Sequence, residues 1–407
     1  MQGSGVAPRR VLVALDKFKG ALSAHAACDV VARVLRRLRP DWDVDTAPLA
    51  DGGDGFCRIL TEAADGRTHR ARVTASQVRE SGASELVDAE LGSVDAGRVP
   101  LAAREHLGSL EPIAGRKASG RVAIVEMAAA NGLALVPRER RDVWRASSRG
   151  TGELLTRAAE LDVDAIVLGV GGSATSDLGL GALAALGLHF EAAAGHVLEP
   201  LPANWPRLRA IRGHIEVALP SLTIACDVEN PLLGPNGAAA VYGPQKGLAG
   251  ADVARFDREA ERVARLLCAH IGADPAAMSA PGAGAAGGIA FGLAVATGAR
   301  IAPGFELLWR WLDLERRVQN ADLVITGEGR FDRGSLAGKG PGELIARAAV
   351  RARSAVLFAG SVDLLAASRV RAELVQISPP GLALDRALAE CAHHLEVAVQ
   401  RWLERAA

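Results

Sequence analysis

The sequence predicts an α/β protein in which a doubly wound, Rossmann-like parallel sheet forms one domain and a second α/β domain with a mixed sheet is inserted into it. The chain has 407 residues, which is about the length of two domains. Apolar runs of strand length alternate with helical patterns near both ends of the chain, as in β-α-β units. Between them, polar and apolar residues alternate over short stretches, which favours a mixed or antiparallel sheet. We therefore expect residues 1–68 and 285–407 to form the Rossmann-like domain and residues 69–284 the inserted domain.

The elements of the first half follow from apolar patterns and helix caps. RVLVAL (Arg10–Leu15) is an apolar run of strand length, and Ser23 is a favourable N-cap for the amphipathic helix that ends before Pro40. In chain order, the predicted elements are strand 10–15, helix 23–38, strand 44–47, a helix from 54 or 55 to 64, short alternating stretches at 70–74 and 85–91, strand 122–127, helix 151–160, strand 164–168, a helix that ends at 186, strand 187–190 and strand 222–225.

The second half is read in the same way. The segment 198–220 holds several prolines and is predicted to be loop and short turns. The predicted elements that follow are helix 250–270, a small-residue helix at 285–297, strand 321–325, helix 341–351, strand 355–358, a short helix near 364, strand 373–377 and the terminal helix 384–404.

Composition excludes several classes of protein. Hydrophobic residues make up 49% of the chain, which is typical of a globular protein, and the formal net charge is zero. No overall field attracts nucleic acid or a membrane surface, so we expect a small-molecule partner, with a homodimer left open. The five cysteines are odd in number and none form a CxxC pair, which indicates reduced, mostly buried thiols and a cytoplasmic protein.

Glycine and polar residues occur together at six strand-to-loop junctions. In open α/β sheets, ligands bind beyond the carboxyl ends of the strands, where such loops converge. A shared small-molecule site is therefore expected. The junctions are DKFKG (16–20), ADGGDG (50–55), GVGGSATSD (169–177), CDVENP (226–231), YGPQKG (242–247) and TGEGRFD (326–332).

The run Gly171, Gly172, Ser173, Ala174 and Thr175 leaves a predicted strand and precedes a predicted helix. Its backbone N–H groups and hydroxyls are suited to holding an anion such as a phosphate. The alternative is a tight turn with a helix cap.

A second alternative for this segment is a dinucleotide-binding fingerprint. Residues 169–174 fit G-x-G-x-x-A, and Glu191 lies about 20 residues further on. Against it, Asp177 would lie near the pyrophosphate, and the fingerprint explains none of the other five junctions.

Carboxylates and lysines complete the candidate site. Mg²⁺ uses one or two carboxylates together with substrate phosphates, and another carboxylate suits a proton acceptor. Lys17 and Lys19 alternate along the chain and suit a clamp for a phosphate or carboxylate, whereas a solvated face is the alternative. Histidines show no metal-ligand spacing. The carboxylates of the set are Asp16, Asp51, Asp54, Asp177, Asp227, Glu328 and Asp332.

Taken together, these motifs resemble the bacterial glycerate kinase family of the D-glycerate 2-kinase type. The resemblance covers nearly the whole chain and rests on DKFKGALS, PLADGGDG, SSRGTGELL, GVGGSATSDLGLGALAALG, ACDVENPLLG, YGPQKG, GAGAAGGIAFG and DLVITGEGRFDRGSLAGKGP. The chain departs from the family pattern at Asp54, Phe56, Ser176, Leu178 and Gly334–Ser335. Phe56 and Leu178 would narrow the cleft, which bears on the identity of the substrate.

The resemblance implies two α/β domains with the active site in the cleft between them, and phosphorylation of D-glycerate by ATP with Mg²⁺ to give 2-phosphoglycerate. Within that reaction we assign roles from chemistry. The expected catalytic residues are Asp51, Lys19, Lys246 and Lys339; the substrate-binding residues Asp16, Lys17, Lys19 and Arg149; the nucleotide-binding residues Gly171, Gly172, Ser173, Ala174, Thr175 and Glu328; and the metal ligands Asp227, Asp177 and Asp332. Three alternatives remain: a 3-phosphoglycerate-forming kinase, an NAD(P)-dependent oxidoreductase of a small hydroxy acid, and a catalytically silent sugar-acid sensor.

Overall fold

The computed structural model describes residues 9–79, 84–108, 117–336, 340–351 and 353–405. The chain divides into two compact units. Unit 1 consists of residues 1–51 and 308–407, and unit 2 consists of residues 52–307. Unit 1 is therefore discontinuous and unit 2 is inserted into it, in the order that the sequence predicts.

Strands and α-helices alternate along most of the described chain. The strands are β1 (Arg10–Leu15), β2 (Asp43–Thr46), β3 (Arg67–Val78), β4 (Ser84–Asp95), β5 (Arg121–Glu126), β6 (Ala165–Gly169), β7 (His189–Glu191), β8 (Ala210–Arg212), β9 (Ser221–Ala225), β10 (Arg300–Ala302), β11 (Leu323–Phe331), β12 (Ser354–Val362) and β13 (Glu373–Gln376). The helices are α1 (Ala24–Leu38), α2 (Phe56–Ala63), α3 (Leu101–Arg104), α4 (Met127–Asn131), α5 (Arg149–Glu160), α6 (Leu180–Ala185), α7 (Ala238–Tyr242), α8 (Val253–Ile271), α9 (Ile289–Thr297), α10 (Gly304–Trp311), α11 (Leu314–Asn320), α12 (Gly340–Val350), α13 (Leu364–Ala367), α14 (Leu384–Ala389) and α15 (Cys391–Arg405).

The sheet of unit 1 is parallel throughout, with strand order β13-β12-β11-β1-β2. All residues of β1 after Arg10 are buried, because helices cover both faces of a doubly wound sheet. Helices α1 and α15 pack together, and α1 contacts β1, whereas α12 contacts β11 and β12. The strand order reverses between β1 and β11, so the carboxyl ends of these two strands form the edge where such sheets bind ligands.

The sheet of unit 2 is mixed, as predicted, with strand order β10-β9-β6-β5-β4-β3. Strands β5, β6, β9 and β10 are parallel, whereas β4 is antiparallel both to β5 and to β3, with which it forms a long hairpin at one edge of the sheet. The core of this unit is built from Leu, Ala, Val and Ile side chains, with Trp205 and Phe256 among its aromatic members.

The boundaries between the two units differ from the predicted ones. The structure divides the chain after Asp51 and after Leu307, rather than after residues 68 and 284. Helix α2 belongs to unit 2 because the Glu126 carboxylate accepts hydrogen bonds from the N–H groups of Gly55 and Cys57. Helix α9 and strand β10 belong there as well, since β10 pairs with β9. Neither contact is visible in local sequence patterns.

Other differences concern single elements. Residues 202–207 form a 3₁₀ helix, and β8 pairs with β7 in a two-stranded sheet inside the segment that was expected to be loop. The predicted terminal helix is two helices, α14 and α15, divided at Glu390. Helices α10 and α11 had no predicted counterpart. The five cysteines are buried and free of disulfides, as expected. No described helix is both long and apolar enough to span a membrane.

Candidate active site

Two glycine-rich loops of unit 2 pack backbone against backbone beyond the carboxyl end of β6. The N–H of Gly171 donates to the carbonyl of Gly52 over 2.9 Å. A Cβ atom on Gly171 would lie 2.6 Å from the nitrogen of Gly53, and one on Gly169 would lie 2.5 Å from the oxygen of Gly52. Glycine is therefore required at these positions because the backbones approach so closely. This contact joins two of the six predicted junctions.

Hydrogen bonds shape the Gly171–Thr175 loop, and three of its backbone N–H groups, those of Gly172, Ser173 and the fully buried Thr175, have no acceptor among the described residues. Ala174 N–H donates to the carbonyl of Asn131, and the carbonyl of Gly172 accepts from the N–H of Leu133. No described residue accepts from the N–H groups of Gly172 and Ser173. Gly172 has φ of +71°, a left-handed conformation that turns successive N–H groups toward one side. Gly172 and Ser173 therefore offer two successive N–H groups that no described residue uses, as an anion-binding loop requires.

Lys246 contacts this loop and is the last residue of a 3₁₀ turn over Pro244–Lys246. Its side chain is only 2% exposed. The Nζ atom donates to Ser173 Oγ over 2.9 Å and to the carbonyl of Thr175 over 2.6 Å. Burial lowers the pKa of Lys246 to about 7, and the nearby charge of Asp177 acts in the opposite direction. This lysine contacts the loop that was predicted to bind the nucleotide.

Asp177 does not fit the predicted role of metal ligand. Its side chain is 1% exposed and accepts four hydrogen bonds, from Ser148 N–H and Oγ, Gly179 N–H and Gly181 N–H. Burial raises the pKa of Asp177, and these donors oppose that effect. Because these donors occupy its oxygens, Asp177 fixes the start of α6 to the start of α5. Its role here is structural.

Asp227 lies after β9, where its two carboxylate oxygens accept from the N–H of Phe305 at 2.9 and 3.0 Å. The side chain is half-buried. This position caps the beginning of α10.

Arg149, at the start of α5, lies 3.4 Å from Glu153 and 4.0 Å from Glu199. It is partly exposed, so its guanidinium remains accessible to solvent.

In unit 1, Asp16 and Asp51 follow β1 and β2 at the carboxyl edge of the sheet. Lys17 connects them, because its N–H donates to Asp16 Oδ1 over 2.6 Å and its Nζ lies 3.4 Å from Asp51 Oδ1. Lys19 is exposed, and the intervening Phe18 is buried. The two lysines therefore differ in environment: one is part of an ion pair and the other extends into solvent. Lys339 lies outside the described residues.

Glu328 lies among other carboxylates of unit 1, whose negative charges act on it. Its Oε1 atom is buried and has no hydrogen-bond partner among the described residues. Burial raises the pKa of Glu328 to about 8, and the charges of Asp16, Asp332 and Asp51 add to this effect, whereas a hydrogen bond with Ser335 opposes it. Glu328 therefore lies in a field that favours a proton or another cation.

Asp332 is largely used by its own turn. Its Oδ1 accepts from Gly334 N–H over 2.8 Å, and its Oδ2 lies 3.2 Å from Arg330 Nε. Across the described ranges, no three His, Cys, Asp or Glu side chains are grouped as a metal cage.

The structure also reveals polar residues that the sequence did not single out. Asn131 is fully buried, and its Oδ1 accepts from both the N–H and the hydroxyl of Thr151, while its carbonyl accepts from the loop at Ala174. Ser148 binds Asp177. The SSRGTGELL motif contains Ser148 and Thr151 and was the available signal, although the motif alone does not show which residues they contact.

The dinucleotide fingerprint lacks its structural context. Glu191 lies in β7, which pairs with β8 in a separate two-stranded sheet and not with β6. The helix after the loop begins only at Leu180. An acidic residue on the strand next to β6 and a helix that opens at the glycines would be needed.

The comparisons with known proteins agree with one another. A family model described as the glycerate kinase family matches residues 11–406. The chain is 35% identical to a protein of Escherichia coli K12 named glycerate 2-kinase, over 82% of this chain and 80% of that one. It is 34% identical to a glycerate kinase of Halalkalibacterium halodurans, over 81% and 80% of the two chains. A solved structure of a putative glycerate kinase 2 from Salmonella typhimurium LT2 aligns with a TM-score of 0.71 and 31% identity, covering 98% of each chain.

Proposed function

Because the chain belongs to the glycerate kinase family, we propose that it transfers the terminal phosphoryl group of ATP to the 2-hydroxyl of D-glycerate and releases ADP and 2-phosphoglycerate. The family makes the protein a kinase. The observation that supports the use of ATP is the Gly171–Thr175 loop, in which no described residue accepts from the N–H groups of Gly172 and Ser173 and the buried Lys246 contacts the Ser173 hydroxyl. Backbone N–H groups of this kind suit phosphate oxygens, which only accept hydrogen bonds.

The nucleotide phosphates would lie on the Gly171–Thr175 loop of unit 2. The adjoining Gly52–Gly53 backbone and the Asn131 carbonyl hold that loop in place, so its donors need little rearrangement when an anion binds. Preorganised donors are the main means by which enzymes stabilise phosphoryl transfer, since the transition state is loose and its charge is spread over oxygens.

Magnesium fits the carboxylates of unit 1. The buried Oε1 of Glu328, which has no hydrogen-bond partner among the described residues, and the neighbouring charge of Asp16 form a hard oxygen environment of the kind that Mg²⁺ prefers. Glu328 and Asp16 would hold the ion, which needs only one or two protein carboxylates. In phosphoryl transfer, Mg²⁺ supplies neutralisation of charge on phosphate oxygens. Asp332 is less suited to bind the ion, because its carboxylate already contacts Gly334 N–H and Arg330 within its own turn. Asp227 remains a candidate ligand. We no longer propose Asp177, because it is buried and bonded to four donors.

Asp51 would accept the proton of the attacking hydroxyl while a bond forms between the hydroxyl oxygen and the γ-phosphorus and the bond to ADP breaks. Lys17 lies 3.4 Å from Asp51 and keeps its carboxylate in position. Lys19 in unit 1 and Arg149 in unit 2 are each candidates for binding the carboxylate of glycerate, and Lys339 would neutralise charge on the transferred group. Positioning and charge stabilisation supply the catalysis.

The test is incubation with D-glycerate and ATP·Mg, followed by proton-coupled phosphorus NMR. The phosphate ester of 2-phosphoglycerate couples to one hydrogen and gives a doublet, whereas that of 3-phosphoglycerate couples to two and gives a triplet. A doublet supports the proposal. A triplet assigns the other hydroxyl, and no ester with D-glycerate contradicts the proposed function.

Asp51→Asn tests the proton acceptor. We expect its kcat to fall by about 10²-fold, in the range that removal of a general base causes. The exposed Asp41→Asn is a matched control with the same change in charge and should leave kcat unchanged. Unimpaired turnover of the Asp51 variant would remove Asp51 from the scheme.

A further inference from the structure

The hydroxyl of Ser173 is in hydrogen-bond contact with the buried side chain of Lys246. Lys246 is 2% exposed, and its Nζ atom lies 2.9 Å from Ser173 Oγ. When Lys246 is protonated its ammonium group has only donors, so in that form the serine oxygen is the acceptor in this hydrogen bond. No other described residue is bonded to the Ser173 hydroxyl. Its hydrogen is therefore turned away from Lys246 and is left to donate to something else.

The position of Lys246 is fixed by its own turn. Gly247 follows it with φ of +95°, and a Cβ atom there would lie 2.2 Å from the carbonyl oxygen of Arg141. Only glycine allows this close approach. The second hydrogen bond of Lys246, to the carbonyl of Thr175 over 2.6 Å, attaches the side chain to a second residue of the loop. The lysine is therefore anchored independently of any ligand.

We propose that Lys246 is a positioning residue that makes the Ser173 hydroxyl a hydrogen-bond donor, so that the loop presents only donors and selects an acceptor-only anion, the nucleotide phosphates. The other two donors are the N–H groups of Gly172 and Ser173. This inference rests on the proposed function and goes beyond it, because it assigns Lys246 an action through Ser173 rather than on the transferred phosphate. The fully buried ammonium fits that indirect role better than direct contact with substrate.

The charge around Lys246 is consistent with this role. Asp177 is the carboxylate whose charge acts on Lys246, and it favours the protonated form. Asp177 is itself bonded to four donors, so it does not withdraw Lys246 from Ser173. A positive charge directly behind the serine strengthens its donation to an anion, since hydrogen bonds polarise one another in a buried site.

A double-mutant cycle tests the inference. Binding of ADP·Mg is measured by calorimetry for the wild type, Ser173→Ala, Lys246→Met and the double variant, together with KM and kcat for ATP. Lys117→Met, at an exposed lysine, is the matched control. Hydrogen bonds to charged groups correspond to about tenfold to hundredfold in affinity.

We expect Ser173→Ala and Lys246→Met each to weaken ADP·Mg binding about tenfold, with KM for ATP changing more than kcat. The double variant should bind no more weakly than Ser173→Ala alone, because the lysine acts through the serine and has nothing to act on once the hydroxyl is removed. If Lys246→Met does not fold, Lys246→Gln, which keeps a neutral donor, takes its place in the cycle.

Two results are distinguishable. If the wild-type protein does not bind ADP·Mg, the proposed function fails. If the wild type binds but the two single effects multiply in the double variant, or Lys246→Met binds normally, Lys246 does not act through Ser173 and this inference is overturned.

Discussion

Lys246→Met is expected to raise the stability of the ligand-free protein at neutral pH even though it weakens nucleotide binding. The wild-type protein buries an ammonium that is 2% exposed, and burial lowers its pKa from 10.5 to about 7. Each unit of pKa shift corresponds to 1.36 kcal/mol, so the protonated form costs about 5 kcal/mol relative to the neutral amine. Methionine has a similar shape and no charge. It leaves the Thr175 carbonyl without its donor, which costs about 1–3 kcal/mol.

The pH dependence isolates the charge from the lost hydrogen bonds. Between pH 7 and pH 10.5 the unfolded chain binds a proton at Lys246 that the folded protein releases. The stability of the wild type therefore rises with pH in this window, whereas the methionine variant lacks this contribution. From pH 7 to pH 9.5, the difference in free energy of unfolding should shift by about 3 kcal/mol in favour of the wild type.

The assay is urea denaturation of the wild type, Lys246→Met and the exposed control Lys117→Met at pH 7 and pH 9.5, without nucleotide. Other groups that titrate in this range cancel in the comparison. A difference between wild type and Lys246→Met that does not change with pH would show that the buried lysine keeps an ordinary pKa, and would refute the reasoning.

Three further predictions follow from the same geometry. Binding of ADP at pH 8 should take up most of a proton, since an anion on the loop is expected to return the pKa of Lys246 from about 7 toward its ordinary value of 10.5, well above pH 8; calorimetry in buffers of different ionisation enthalpy measures this, and the uptake should vanish in Lys246→Met. Asp177→Ala should lower the free energy of unfolding by about 3 kcal/mol or more while leaving the Mg²⁺ dependence of turnover unchanged; a higher Mg²⁺ requirement would restore Asp177 as a metal ligand. Gly171→Ala should destabilise the protein by about 1–3 kcal/mol and raise KM for ATP, because its Cβ would lie 2.6 Å from Gly53 N; a normal KM would mean that the loop tolerates displacement.

The order of elements was predictable because it depends on local patterns. Arg10–Leu15 is a buried strand and Ser23 caps α1 through its side chain, which accepts from Ala26 N–H, as the sequence predicts. The boundaries between the units were not predictable. They depend on Glu126 bonding the start of α2 and on β10 pairing with β9, and both contacts join residues far apart in the chain.

The candidate site divides in the same way. Loops rich in glycine and carboxylates follow strands, so the residues at the carboxyl edges of both sheets were found from the sequence. Their individual roles were not. Asp177 and Asp227 look alike in the sequence, yet one is buried among four donors and the other is half-buried at the start of a helix. Sequence shows that a carboxylate is present, whereas its burial and its hydrogen-bond partners decide what it is able to bind.

Burial also explains why position 246 holds a lysine rather than an arginine. The chain has 47 Lys and Arg residues, and only those at 17, 19, 117, 246 and 339 are lysines. A guanidinium at position 246 would be larger, and it would keep its charge in the buried site whether or not an anion were present. A lysine with a pKa of about 7 gives up part of its charge in the ligand-free protein, and on our proposal it would regain that charge when phosphate binds to the loop. The free-energy cost of burying the cation would then arise mainly when the ligand compensates it, so that an anion site at Ser173 would be compatible with a stable ligand-free protein.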